Sequence, residues 1–134
     1  MRIIRAVAAA TVIVCAAAHA EGSAQSPDHS GAAVGIGVIC NTPAQAEEFV
    51  KLRSAGAGSD QAMHAVNAGA QDGRACGIAA IAYLRDATID TMKLNDKLVQ
   101  IVRINVVAGF NGTGWQRVSG MVQYAVLEGG GQSI

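Results

Sequence analysis

Aromatic side chains are scarce in this chain, with two Phe, two Tyr and one Trp among 134 residues. Any packed interior must therefore be built mainly from aliphatic residues. Charge is also thin, at 15% of residues, and the ten Lys plus Arg balance the ten Asp plus Glu. No basic cluster exists to track a phosphate backbone, so nucleic acid is not an expected partner. Histidine occurs three times and no Cys-x-x-Cys spacing is present, which removes the usual metal and redox signatures. Beyond residue 20, no apolar run reaches the roughly 20 residues that a membrane-spanning helix needs.

What is present begins at the amino terminus. Arg2 and Arg5 precede an uncharged run from Ala6 to Ala18, and Ala18-His19-Ala20 supplies small residues at the positions a signal peptidase reads. This order predicts a leader, 1–20, cut before Glu21. A helical run of 13 residues rises only ~20 Å against a hydrocarbon core of ~30 Å, too short for a comfortable span. A lipid anchor on Cys15 is disfavoured by the bulky Val14 before it. Cleavage leaves 114 residues, enough for one modest core. It removes Arg2 and Arg5, so eight Lys plus Arg face ten Asp plus Glu, a net charge near −2.

Loss of Cys15 with the leader leaves Cys40 and Cys76. An even count in an exported chain predicts one structural disulfide. Neither thiol has a neighbouring His or Lys to activate it.

Residues 21–32 are small and polar and predict a flexible lead-in. Ala33–Cys40 reads as a buried strand. Thr42, Pro43 and Gln45 form a capping-box start for a helix to about Arg53, with Ala46, Phe49 and Val50 inward. The adjacent Glu47 and Glu48 belong to its solvated face. Ser59 is the expected cap of a second helix running to about Gln71, with Met63, Val66 and Ala70 inward and His64 outward. Strands are then expected at Gly77–Arg85, Thr88–Leu94, Lys97–Phe110 and Trp115–Glu128. The turns between them are Asn95-Asp96 and Asn111-Gly112-Thr113-Gly114. On the third of these strands Leu98, Val102, Ile104, Val106 and Phe110 share the expected core face, with Gln100 as a polar exception. On the fourth, Val118, Val122, Tyr124 and Val126 share one. Residues 129–134 read as a frayed tail.

The predicted fold class is α+β: a strand, two short helices, then a three- to four-stranded antiparallel curled sheet, with one disulfide. The single domain spans 33–128.

Sites of chemistry are few. His29 and His64 lack accompanying carboxylates or thiols at ligand spacing, so no metal and no cofactor are expected. No Gly-x-Ser-x-Gly elbow is present, and His64 is the one plausible general base of a hydrolase. Gly35-Ile36-Gly37 lacks the third glycine and the acidic residue of a dinucleotide fingerprint. Asn111-Gly112-Thr113 fits a glycosylation pattern, but the turn explains it. Trp115, the only tryptophan, adjoins a Gly-rich turn, and with Arg117 and Tyr83 it forms the candidate binding surface. Its alternative role is to cover the open end of the sheet.

The segments Val38–Val50, Ala65-Val66-Asn67, Ala75-Cys76-Gly77 and Gln100–Arg103 resemble those of a group of small exported proteins of Gram-negative bacteria. The resemblance covers most of the chain after the leader. It implies pairing of the two cysteines and a periplasmic or secreted home, and it carries no activity, so no site residue transfers. Gly114–Val118 is similar to a five-residue piece of bacterial SH3-like domains, which implies a cell-wall or peptide ligand. The leading expectation is a non-enzymatic binding or accessory module of the cell envelope, meeting an envelope protein, peptide or cell-wall component. The alternatives are a small periplasmic hydrolase dependent on His64 and a purely structural envelope protein.

Overall fold

A computed structural model describes residues 31–128 and 132–133. The expected leader and residues 21–30 of the lead-in lie outside the described residues, as do 129–131 and 134 of the tail. The element order is β1 (Ala33–Cys40), α1 (Pro43–Ser54), α2 (Ser59–Ala70), β2 (Cys76–Leu94), β3 (Lys97–Phe110), β4 (Trp115–Glu128) and β5 (Gln132–Ser133). The expected α+β architecture, with two helices inserted before an antiparallel sheet, is the one observed.

All strand pairs are antiparallel, in the order β1-β2-β3-β4-β5. β1 also pairs with β4 through Ile39–Ala125 and Cys40–Tyr124, so the four long strands curl round towards a ring. The sheet therefore has an inner, concave face and an outer face, and a core lies against each. Outside, α1 and α2 press Phe49, Val50, Ala62 and Val66 onto Val38, Val99, Ile101 and Val126. Inside, Ile81, Tyr83, Val102, Ile104, Val106, Ala125 and Leu127 pack together. Phe49 is the largest fully buried side chain, and truncating it to alanine would cost ~3–5 kcal/mol.

Local chemistry explains the helix boundaries. The Thr42 side chain accepts from the Gln45 amide at 3.2 Å, and the Gln45 side chain accepts from the Thr42 amide at 3.1 Å. This is the reciprocal capping box the sequence predicts. α2 differs: its cap is Gly58, with no side-chain hydrogen bond, and Ser59 is already inside the helix. α2 stops where Gln71 adopts a left-handed conformation at φ 55°.

Several sheet expectations need correction. Gly77–Arg85 and Thr88–Leu94 are one continuous strand, because β-bulges between Arg85 and Ala87 and between Thr88 and Asp90 absorb the break in pattern. On β3, Leu98 and Phe110 are exposed, whereas Val99 and Ile101 are buried. The helices cover the first half of the outer face of β3, so that half is apolar on both sides. Gln100 is the acceptor for the Arg85 guanidinium at 2.9 Å. On β4, Val118, Ser119 and Gly120 stand opposite the single residue Val107. The pairing is broken on both strands here, since Val107 is itself an extra residue of β3 against β2, and the alternation changes across the break: Val118 faces inward while Val122 faces out and is exposed. In the tail, Gln132 and Ser133 pair with Glu128 and Leu127 as β5 and are not frayed.

Cys40 and Cys76 are bonded, with Cα atoms 4.1 Å apart. They are directly paired in the β1–β2 register, and next to them the Asn41 amide donates to the Ala75 carbonyl at 2.8 Å. The whole helical excursion is thus closed at its base by a covalent bond and a hydrogen bond.

Candidate functional site

The sequence-predicted surface is only partly assembled. Trp115 and Arg117 pair with Phe110 and Ala108 at the turn end of the β3–β4 hairpin. Asn111 builds that turn: its side-chain oxygen accepts from the Thr113 and Gly114 amides, both at 3.0 Å, while Gly112 supplies φ 95°. The Trp115 ring lies 5.6 Å from that of Phe110, tilted by 57°. Trp115 is therefore half-covered by its cross-strand neighbour. Tyr83 is elsewhere: it is 6% exposed and belongs to the inner core, paired with Val106. The expectation that it shares a surface with Trp115 is corrected, because the strand alternation turns its side chain inward.

His64 lies exposed on α2. Among the described residues no hydrogen bond reaches it from a hydroxyl, thiol or carboxylate, and it lines none of the concavities described below. No three residues among His, Cys, Asp and Glu come together as a metal site within the described part of the chain. No described helix is long and apolar enough to cross a membrane.

The concave face of the sheet carries a cleft that the linear sequence does not announce. It has a volume of about 570 Å³, within the ~300–1,000 Å³ common for ligand pockets. Its floor is aliphatic, from Ile39 on β1, Ile81 on β2, Val106 on β3, and Val118 and Met121 on β4. Its rim is polar, from Asn41, Asp72, Arg74 and Gln123. Two features of the sequence make room for it. Gly109 puts no side chain into the cleft, and a Cβ there would meet nothing within 4 Å. The break in the β3–β4 register brings both Val118 and Met121 to this face, with Met121, 47% exposed, at the mouth.

The rim is held by local hydrogen bonds. The Asp72 carboxylate accepts from the Arg74 amide at 2.9 Å, and Asn41 reaches the Arg74 carbonyl at 3.4 Å. Asn67 fixes the base of this turn. Its amide group donates to the Gly73 and Cys76 carbonyls, both at 3.1 Å, and its oxygen accepts from the Cys76 amide at 2.8 Å. The disulfide, Asn67 and the Asn41 amide together set where Asp72 and Arg74 stand. The Arg74 guanidinium has no ion-pair partner among the described residues.

A second, outer concavity of about 440 Å³ is lined by Leu84, Arg85, Asp86, Arg103, Asn105 and Val122 among others. Arg103 and Asp86 are already paired there at 3.3 Å, and both are exposed. Arg85, in the same lining, donates to the Thr88 hydroxyl and the Gln100 side chain.

The inner cleft is not legible in the sequence because its lining comes from four strands and two connections. The one local clue is Gly109, a gap in an otherwise bulky run from Val99 to Phe110. Comparison with known protein families, characterised proteins and solved structures finds no match to this chain.

Proposed function

We propose that the chain is exported and acts as a non-enzymatic binding module of the cell envelope, with the concave cleft as its ligand site. The observation that carries this reading is an open aliphatic cleft bounded by a polar rim that contains an arginine with no ion-pair partner among the described residues. An apolar interior with a few convergent polar groups is the usual form of a small-ligand site. Export is supported by the Cys40–Cys76 bond, since disulfides persist in oxidising compartments.

The test is binding of the apolar anionic dye 1-anilinonaphthalene-8-sulfonate to folded protein. Saturable binding at one site is expected in the wild type. Gly109→Leu, which fills the cleft from its floor, should abolish it without lowering the melting temperature. Equal dye binding by both proteins would place the apolar site elsewhere. Absence of saturable binding in the wild type would favour a purely structural role.

A further inference from the structure

β4 is paired along only part of one of its edges. β3 runs along one side apart from the excursion at Val118–Gly120, but on the other side β1 reaches only Tyr124 and Ala125, and β5 reaches only Leu127 and Glu128. Among the described residues, no strand covers that side from Trp115 to Gln123. β1 leaves this side at Asn41, where the chain turns away into α1. The vacated position lies directly beside the cleft, whose mouth carries Met121 and Gln123 from the same strand.

Unpaired strand backbone is a template for another extended chain. When a peptide adds to such an edge, main-chain hydrogen bonds supply affinity and alternate side chains enter adjacent pockets. Both requirements meet here. A strand laid beside Met121–Gln123 would place every second side chain over the aliphatic floor. Arg74 stands on the rim next to Asn41, where β1 leaves β4, with no ion-pair partner among the described residues, while the neighbouring Asp72 carboxylate is turned to the Arg74 amide. An arginine beside an apolar cleft matches a carboxylate attached to an apolar body.

We infer, resting on the binding reading above, that the cleft captures the carboxyl-terminal end of an extended apolar peptide, added as a short strand at Met121–Gln123. The occupant is short because the extra residues at Val118–Gly120 break the regular edge. A bulge of this kind blunts an edge against long pairing with another sheet, which argues against a second copy of this chain. A simple fatty acid would satisfy Arg74 and the floor, but would leave the β4 backbone unused.

The experiment measures fluorescence anisotropy with a labelled hexapeptide of alternating threonine and valine ending in a free carboxylate. Its amidated form, a form N-methylated at alternate backbone positions, and sodium decanoate as competitor complete the set. The free acid is expected to bind. Amidation should weaken it by about tenfold, the scale of one charge-assisted hydrogen bond, and N-methylation should weaken it on one register only. Arg74→Gln, an exposed substitution that leaves the core intact, should make the acid and the amide bind alike. Equal binding of acid and amide to the wild type would overturn the inference. Decanoate competing as strongly as the peptide, with N-methylation without effect, would overturn it in favour of a lipid. Sedimentation showing reversible dimers that the peptide does not dissociate would overturn it in favour of self-association. Dye binding without any peptide binding would refute the peptide and leave the cleft reading standing; loss of both would refute both.

Discussion

Asn67 on α2 grips Cys76 at the start of β2 from both sides of its peptide group, accepting from the amide at 2.8 Å and donating to the carbonyl at 3.1 Å. The same side chain holds Gly73, so one residue ties the second helix, the turn and the half-cystine together. Asn67→Ala leaves a half-buried backbone amide without its partner. Leaving such a group unpaired costs ~1–3 kcal/mol, and a loss of about 2 kcal/mol in urea denaturation is expected. Asn67→Asp should cost at least as much at neutral pH, since a carboxylate would face two carbonyl oxygens. Loss below 0.5 kcal/mol in both variants would show that the turn holds itself.

Cys40→Ser and Cys76→Ser should destabilise the domain equally, and the double variant should be no worse than either single one. The bridged residues are 36 apart in sequence. Chain-entropy models give ~3–4 kcal/mol for a loop of this length, a large share of the ~5–15 kcal/mol typical of a whole domain. Unequal, additive losses in thermal melts would contradict a contribution made through the shared bond.

The Asn95-Asp96 turn places both residues at positive φ, 49° and 68°. Two such residues make the tight hairpin turn that favours Asn-Gly. Asp96→Gly relieves the steric cost at the second position and should stabilise the domain by up to ~1 kcal/mol. A destabilised variant, measured by chemical denaturation, would mean that the Asp96 side chain itself supports the turn.

Lys97 follows this turn and pairs with Glu128 at 2.8 Å across β3 and β4. The hydrogen bond to Glu128, and then its charge, hold the Lys97 ammonium above its ordinary 10.5. A raised folded-state value means that the pair's stabilisation is fully present below about pH 10.5 and is lost as pH rises through the folded value. The group is fully exposed, so the effect is small and screened by salt. Wild type should melt slightly above Lys97→Met at pH 7 in low salt, and the difference should vanish once the pH has risen through the folded-state value or in 1 M NaCl. A difference that persists in both conditions would assign it to packing of the Lys97 stem.

Legibility in the sequence followed the range of the forces. Thr42, Pro43 and Gln45 announce α1 because capping is settled within four residues, and Asn111 and Gly112 announce their turn for the same reason. The limits of β3 and β4 were readable from flanking turns. Side-chain direction on those strands was not, because Val99 and Ile101 are buried only by helices that arrive from 40 residues earlier. The Val118–Gly120 excursion likewise appears only once β4 is laid against β3. Tyr83 is an aromatic like Trp115, but its alternation on β2 sends it inward. The cleft was hidden for the same reason: Ile39, Ile81, Val106 and Met121 are ordinary apolar residues until the sheet curls. Arg74 gave no signal at all beside Asp72-Gly73, a pattern that reads simply as a turn.

The place where a ligand meets the sheet is the central claim. Methyl NMR on protein labelled at Ile, Val and Met, titrated with 1-anilinonaphthalene-8-sulfonate, addresses this residue by residue. The account predicts shifts concentrated at Ile39, Ile81, Val106, Val118 and Met121, with Ile36 and Ile78 on the outer face undisturbed. Shifts centred instead on those outer residues, with the cleft methyls undisturbed, would contradict it.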